Sequence, residues 1–277
     1  MSKAFNLKVL WGGFMIRGSL AQNIGISMKT LNIWFEEQKL MVAPYCNIMC
    51  NFCSKDSDCI CNGNDPGYLS KSMTPRQAVN WAVNSASKNK RVKIIKISGP
   101  GEPLYNFQVF ETLRRLNSSL EDCILCICTN GLLLKEKARE ISQLNVKIVE
   151  VSINAVFADS FTKLYSRIVN NGDVLSASAQ TAEYMLKRQF EGIEACLELG
   201  MEVKVNTVYF PGINDRDIME ISNRCLRLGI NHMCIISGSP RGKFRGIRMP
   251  TLAELASVQQ EVSKIIPEVE IKSFIPY

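Results

Sequence analysis

Apolar runs alternate with amphipathic stretches from residue 40 onward, and this alternation limits what the chain can fold into. The runs predict strands, and the stretches between them carry apolar residues at helical spacing. Strands that alternate with helices form right-handed βαβ units and a parallel sheet. The sequence therefore predicts an α/β fold, a partial (β/α)6 barrel with parallel strands. Its strands are predicted at residues 40–43, 92–98, 123–128, 146–153, 201–209 and 232–236.

Capping signals mark where two of the helices begin. Thr74 can cap a helix, Pro75 suits its first turn, and Gln77 completes a capping box. Thr251 and Glu254 repeat the capping box near the end of the chain. These signals predict helices that begin at residues 75 and 252.

Length and composition indicate a globular protein with a sizeable core. The chain has 277 residues, of which 46% are hydrophobic and 21% charged. We expect a core domain over residues 39–277, including a C-terminal helix and tail, and a segment of unassigned role over residues 1–38. The apolar stretch at residues 9–16 is too short to span a membrane. With eleven cysteines that show no disulfide framework and no signal peptide, a cytoplasmic protein with reduced thiols is expected.

The net charge of +7 comes partly from two basic runs, at residues 88–96 and 241–248. The first run is predicted to be a solvated face, although it leads into an apolar strand. The second lies in a loop, where substrates are often held. A moderate charge of this kind does not predict nucleic-acid binding.

Three cysteines follow the first predicted strand within eight residues. Cys46, Cys50 and Cys53 have the spacing C-x3-C-x2-C. Soft thiolates at this spacing select zinc, copper(I) or an iron–sulfur cluster, and three ligands leave one metal position for a substrate or cofactor. No further Cys or His completes a zinc-ribbon spacing, and the one histidine, His232, fits a packed core residue better than a ligand. The competing interpretation is three buried thiols, since free cysteine is commonly buried.

Polar residues and glycines lie at the carboxyl ends of the other predicted strands. In α/β barrels the carboxyl ends of the strands carry the chemistry. Glycines there let the backbone approach a ligand, and a glutamate can accept a hydrogen bond from an ammonium group. Each residue could instead form a turn or a cap. The candidate binding residues are Gly99, Pro100, Gly101, Glu102, Thr129, Asn130, Ser152, Asn154 and Asn206.

The cysteine spacing and the Gly99–Glu102 loop together resemble the radical S-adenosylmethionine (radical SAM) enzymes. The resemblance implies that Cys46, Cys50 and Cys53 bind a [4Fe–4S] cluster whose open iron chelates the methionine moiety of SAM. It also implies that the Gly99–Glu102 loop clamps the methionine amino group. The remaining candidate residues would then face the ribose and the carboxylate.

Within that superfamily the sequence is most similar to the NifB-type nitrogenase-cofactor maturases. The similarity covers residues 40–265 and rests on the strings at residues 41–53, 99–104, 125–132, 153–155, 204–206 and 211–215. It implies that Cys59 and Cys126 serve an additional iron–sulfur cluster. The N-terminal histidine and the C-terminal C-x2-C that the resemblance would also imply are missing from this sequence.

The resemblance implies a radical SAM enzyme that reductively cleaves SAM to a 5′-deoxyadenosyl radical, in iron–sulfur metallocofactor assembly. An electron donor such as ferredoxin or flavodoxin is expected as a partner, and the substrate is a metallocluster, a peptide or a small molecule. A non-enzymatic iron–sulfur carrier and a structural zinc protein are the alternatives. The intact Gly99–Glu102 loop argues against a carrier, which needs no methionine clamp.

Overall fold

The structure is a computed structural model that describes residues 9–11, 14–16, 35–53 and 72–273. In chain order the elements are β1 (Val9–Trp11), β2 (Phe14–Ile16), β3 (Glu36–Leu40), β4 (Ile48–Cys50), α1 (Pro75–Lys88), β5 (Val92–Ile97), α2 (Phe107–Ser119), β6 (Ile124–Thr129), α3 (Leu134–Gln143), β7 (Val146–Ser152), α4 (Ala158–Leu164), β8 (Tyr165–Asn170), β9 (Asp173–Ser176), α5 (Ala179–Glu198), β10 (Glu202–Tyr209), α6 (Asp215–Arg227), β11 (His232–Ser237), α7 (Leu252–Ser263) and β12 (Glu268–Lys272). Short 3-10 turns lie at Pro103–Tyr105 and Gly242–Phe244.

One parallel sheet organises the described residues. Its strands lie in the order β3-β5-β6-β7-β10-β11-β12, and all neighbouring pairs are parallel. Because this spatial order follows the chain, each crossover winds in the same direction, as in a barrel. The predicted α/β partial barrel is confirmed. The seventh strand, β12, was not predicted and lies in the region expected to be the C-terminal tail.

The helices cover one face of this sheet with a continuous apolar core. The core takes alternate residues of each strand, such as Ile95 and Ile97 on β5 and Val149 and Val151 on β7. This period of two leaves the intervening residues on the inner face of the partial barrel. No helix among the described residues combines the length and the apolar character that a membrane span requires.

The capping signals are confirmed, whereas the first predicted strand is displaced. Thr74 and Thr251 each form a complete capping box, with Gln77 and Glu254 respectively. The edge strand β3 covers residues 36–40 rather than 40–43, so the expected boundary between residues 38 and 39 lies inside it. Beyond β3 the chain remains extended and forms an isolated bridge at Ala43, which leads toward the cysteines.

A small antiparallel sheet, in the order β4-β8-β9, was not predicted from the sequence. The hairpin β8-β9 turns through Asn171 and Gly172, both at positive φ. Asn-Gly is the preferred pair for a two-residue type I′ turn, so this pair could have revealed the hairpin. Because β4 pairs with β8, the hairpin positions Cys50.

Charged side chains lie on the inner face, where Lys96, Glu150 and Lys204 are each at most 4% exposed. The Lys96 Nζ atom is 2.7 Å from Glu150 Oε2 and 3.2 Å from Glu37 Oε2. Burial alone would lower the pKa of Lys96, but the charges of Glu150 and Glu37 outweigh it and raise that pKa. The prediction that the run 88–96 is a solvated face is therefore wrong for Lys96, because alternation along β5 turns this side chain inward.

Replacing Lys96 with methionine is expected to destabilise the fold by about 3–5 kcal/mol, because it leaves two carboxylates near a buried site without their shared cation. The midpoint of urea unfolding would measure the loss. Lys93→Met is the matched control, since Lys93 lies on the same strand and forms no ion pair with a described residue. Equal stability of the two variants would contradict a structural role for the inner ion pairs.

Candidate functional site

A cavity opens at the carboxyl ends of the parallel strands, where the sequence predicts the site. It encloses about 690 Å³ of empty space, including the part open to solvent. Its wall brings together the residues Cys46, Ile48, Cys50, Phe52, Ser98, Gly101, Glu102, Pro103, Cys128, Thr129, Asn130, Ser152, Asn154, Tyr165, Asn206, Val208 and Ile236. Most of the candidate binding residues are among them.

Two of the three motif cysteines line this cavity. Cys46 is 8% exposed and donates a hydrogen bond from its Sγ to the Ile48 carbonyl oxygen, 3.3 Å away. Cys50 ends β4 and is half-buried, as is Cys53 just beyond it. The described residues contain no group of three or more His, Cys, Asp or Glu side chains already gathered around one metal position. The backbone therefore brings the thiols to one region without fixing a coordination geometry.

The turn that follows Cys50 is supported by α4, β8 and the basic loop at residues 241–248. The Asn51 N–H donates to the Leu164 carbonyl, and its side-chain oxygen accepts from the Ser166 hydroxyl. From the other side the Lys243 N–H donates to the Asn51 carbonyl at 2.7 Å. A Cβ atom at Gly242 would lie 2.7 Å from the Cys53 carbonyl oxygen, so only glycine permits this approach.

Aromatic rings close the cavity beside this turn. The Phe52 ring lies 5.3 Å from that of Phe210 and 6.1 Å from that of Phe244, and the last two rings meet edge to face at 4.8 Å. Tyr165 packs against Phe52 at 6.3 Å. Tilted and edge-on contacts of this kind stabilise aromatic clusters. The Phe244 contact explains why the basic loop 241–248, a feature left open by the sequence, lies against the cysteines.

The Gly99–Glu102 loop lies directly against the segment that precedes Cys46. The Gly101 N–H donates to the Ala43 carbonyl at 2.6 Å, and the Glu102 N–H donates to the Tyr45 carbonyl at 2.8 Å. The Gly99–Pro100 peptide bond is cis, and Gly99 has a φ of +113°. These bonds align the glycine loop and the cysteine segment like neighbouring strands.

The Glu102 carboxylate is 3% exposed and connects two strand ends. One oxygen accepts from the Thr129 hydroxyl at 2.5 Å and from the Leu104 N–H at 3.0 Å. The other oxygen accepts from the Asn130 N–H at 2.7 Å. The structure thus gives Glu102 a positioning role at the cavity wall in addition to its predicted role as an acceptor for a ligand.

The amide of Asn130 extends this connection to the cysteine motif. Its Nδ2 atom donates at 2.7 Å to Oδ1 of Asn47, the residue that follows Cys46 in the sequence. Its main-chain carbonyl accepts from Gln189 of α5 at 2.8 Å. Asn47 itself is fully buried. The ends of β5 and β6 and the cysteine segment therefore form one hydrogen-bonded unit.

Asn154 and Asn206 differ in how many of their side-chain amide atoms form hydrogen bonds. Both ends of the Asn154 amide are used, since its nitrogen donates to the Tyr165 hydroxyl and its oxygen accepts from the Val208 N–H. The Asn206 nitrogen donates to Glu150, and no described residue donates to its oxygen. The Asn154 amide is therefore held in place at the cavity wall, whereas the Asn206 oxygen has no donor among the described residues.

Cys126 and Cys128 share the inner face of β6, as their spacing predicts, but lie at different depths. Cys126 packs among Ile94, Ile124 and Ile148, below the cavity, and burial raises its pKa well above the usual value. Cys128 lines the cavity, and burial with the nearby Glu150 charge raises the pKa of its thiol to about 12. The resemblance implies Cys126 as a ligand, whereas the cysteine of this strand that lines the cavity is Cys128.

Two further sequence expectations concern possible metal ligands. Cys59 lies outside the described residues, so its position relative to Cys126 stays a prediction. His232 begins β11 and is 4% exposed, with its Nε2 atom 3.3 Å from Glu270 Oε1. It is absent from the cavity wall, as expected for a packed core histidine.

The cavity wall fits an iron–sulfur cluster with SAM beside it. Two motif thiols line the wall, and soft sulfur ligands suit iron. The Asn206 oxygen is a buried acceptor with no described donor, which a polar ligand could satisfy. Hydroxyl and amide groups of Ser98, Ser152 and Asn130 add polar groups to the wall.

Two solved structures share this architecture. A radical SAM methyltransferase from Sphaerobacter thermophilus aligns over 85% of this chain and 66% of its own, with a TM-score of 0.58 and 19% identity. Methylornithine synthase (PylB) aligns over 89% of this chain and 71% of its own, with a TM-score of 0.59 and 13% identity. At these identities the likeness concerns the fold alone.

Sequence comparison is more specific. The radical SAM superfamily model matches residues 40–225. The FeMo cofactor biosynthesis protein NifB of Methanocaldococcus infernus is 31% identical over 83% of this chain and 75% of its own length. Those of Chlorobaculum tepidum and Azotobacter vinelandii are 30% and 33% identical over 83% and 82% of this chain. The chain spans only 55% and 46% of these two relatives, about half of their length. With its cysteine motif at the carboxyl ends of a parallel partial barrel, the chain belongs to the radical SAM superfamily and has a NifB-like core.

Proposed function

We propose that this chain binds a [4Fe–4S] cluster through Cys46, Cys50 and Cys53 and cleaves SAM reductively in the assembly of an iron–sulfur metallocofactor. The observation that carries the proposal is the common wall formed by the cysteine motif and the Gly99–Glu102 loop. When bound, the cluster supplies the electron that converts SAM to methionine and a 5′-deoxyadenosyl radical. The protein supplies binding, orientation and the exclusion of water.

The residues divide these tasks by position. The main chain of Gly99–Glu102 is expected to contact the methionine end of SAM, because this loop lies beside the Cys46 segment. Glu102 holds Thr129 and Asn130 at the wall through hydrogen bonds. The rings of Phe52 and Phe210 exclude water from the same space. Ser152 and Asn206 face the cavity from β7 and β10 and suit the ribose.

The assignment to metallocofactor assembly is supported by the relatives, which are named FeMo cofactor biosynthesis proteins. Its substrate would be a metallocluster, and Cys59 with Cys126 would be ligands of an additional cluster. The burial of Cys126 beneath the cavity means that such a cluster would have to displace the apolar contacts with Ile94 and Ile148. Cys128, nearer the opening, is the more accessible thiol.

An electron donor is the expected partner, and the basic loop suggests where it docks. Arg241 and Lys243 are exposed on a loop whose backbone contacts the Asn51–Cys53 turn. Complementary charge steers association between proteins. An acidic donor such as ferredoxin or flavodoxin would therefore approach the cysteine turn from this side.

The proposal is tested by anaerobic reconstitution with iron and sulfide, followed by SAM and dithionite. We expect about four iron atoms per chain and formation of 5′-deoxyadenosine, measured by chromatography. Addition of precursor iron–sulfur clusters should then increase SAM consumption. Iron binding without any 5′-deoxyadenosine would favour a carrier, and a colourless protein that retains zinc would contradict the proposal altogether.

A further inference from the structure

The Asn206 side chain carries an acceptor that the described protein leaves unused. Asn206 lies on β10, is 6% exposed and lines the cavity. Its Nδ2 atom donates to Glu150 Oε2 at 2.9 Å, while no described residue donates to the buried Oδ1 atom. Buried polar atoms in folded proteins nearly always have a partner. The orphaned oxygen therefore indicates a hydrogen-bond donor from outside the described residues.

The charge of Glu150 determines which end of the Asn206 amide faces it. The positive charges of Lys96 and Lys204, with hydrogen bonds from Lys96 and Asn206, lower the pKa of Glu150 against the opposing effect of burial. Glu150 is thus a carboxylate, which can only accept hydrogen bonds. It must face the Asn206 NH2 group, and the amide oxygen must point away from it.

We propose that Glu150 is a positioning residue that holds the Asn206 amide with its oxygen as an acceptor for a hydroxyl, amino or ammonium group of the cavity ligand. This inference rests on the proposed function, in which that ligand is SAM. The ribose hydroxyls, the adenine amine and the methionine ammonium of SAM are all donors. The amine and the ammonium group could not pair with the amide if it presented its NH2 group instead, whereas a hydroxyl would have to turn from donor to acceptor.

The carboxylate is itself fixed by the inner ion pairs. Its Oε2 atom is 2.7 Å from Lys96 Nζ, and Lys96 is held from the other side by Glu37 at 3.2 Å. Glu150 and Lys96 are each 4% exposed, so water competes little with these contacts. Charge-assisted hydrogen bonds in such surroundings have defined geometry. The Asn206 oxygen is thus oriented through Glu150 by the buried charge of Lys96 on β5.

Glu150→Met tests this arrangement directly. The Glu150 Oε2 atom accepts from both Lys96 and Asn206, so a glutamine could keep both contacts with its amide oxygen. Methionine removes the acceptor that orients the Asn206 amide, while Lys96 keeps its contact with Glu37. We expect the dissociation constant of SAM to rise at least about tenfold. Equilibrium dialysis of cluster-loaded protein without reductant measures it without turnover. Glu37→Gln removes the other carboxylate partner of Lys96 without touching Asn206 and should bind SAM within about twofold of wild type.

Asn206→Ala removes the acceptor while keeping every inner charge, and it should weaken SAM binding to a similar extent. If Glu150 acts through Asn206, the double variant E150M/N206A binds SAM no more weakly than N206A, whereas a separate structural effect would weaken binding further. Unchanged SAM affinity in N206A overturns the inference, and it decides the matter even if E150M does not fold. Failure of the cluster-loaded wild type to bind SAM would instead contradict the proposed function.

Discussion

Cys50→Ala is expected to lose the bound iron and to form 5′-deoxyadenosine more than about 100-fold more slowly than wild type, since even outer partners of a metal site commonly contribute 10–100-fold. Cys50 ends β4 and lines the cavity, so its thiol lies where the cluster is proposed. Two thiolates cannot replace the three that such a cluster requires. Iron analysis and anaerobic electron paramagnetic resonance after reconstitution would measure the loss, together with chromatography of the nucleoside.

Cys196→Ala provides the matched control, because this cysteine, like Cys50, is in no disulfide but lies in the helix-covered core on α5. It should retain the iron and the SAM cleavage of wild type, with only a modest loss of stability. If Cys50→Ala keeps its iron and its nucleoside product, the cysteine motif does not hold the cluster. If both variants lose iron equally, the loss reflects folding rather than ligation.

Gly101→Ala is expected to destabilise the protein by about 3 kcal/mol or more and to abolish SAM binding. A Cβ atom at this position would overlap the Tyr45 carbonyl oxygen and lie 2.8 Å from that of Ala43. Both obstacles are backbone atoms, which cannot rotate aside, so the loop must separate from the cysteine segment. That separation breaks the Gly101 and Glu102 N–H bonds. Overpacking elsewhere typically costs about 1–3 kcal/mol.

The midpoint of urea unfolding measures the first effect and equilibrium dialysis the second. Gly246→Ala is the control, since a Cβ atom there would meet nothing within 4 Å. It should unfold within about 0.5 kcal/mol of wild type. If Gly101→Ala binds SAM as wild type does, the close approach of the two segments has no role in the site.

The parallel sheet and its site-bearing edge could be predicted from the sequence because both follow from local patterns. The alternation of apolar runs with helical spacing gives the βα units, and Thr74 and Thr251 mark helix starts that the structure confirms. Residues at the carboxyl ends of successive parallel strands must lie at one edge of the sheet. For that reason Glu102, Thr129 and Asn206 were brought to one cavity without knowledge of their contacts.

The remaining features depend on contacts between distant residues. The pairing of β4 with β8 joins segments more than a hundred residues apart, and no local pattern at Cys50 reveals it. Lys96 looked like part of a basic surface because charge alone suggests solvent, whereas its partner Glu150 lies two strands away. Asn154 lines the cavity, and its amide also bonds Tyr165 and Val208, which the sequence does not indicate. Such contacts are a property of the tertiary structure.

The contact between Gly242 and the Cys53 carbonyl has a consequence for biogenesis. The cysteines belong to the first fifth of the chain, whereas the loop that supports their turn belongs to the last. During translation the motif leaves the ribosome long before Gly242 and Lys243 are made. Until then the Asn51–Cys53 turn has its contacts with α4 and β8 at most. A cluster that needs the completed turn is therefore expected to be inserted after translation.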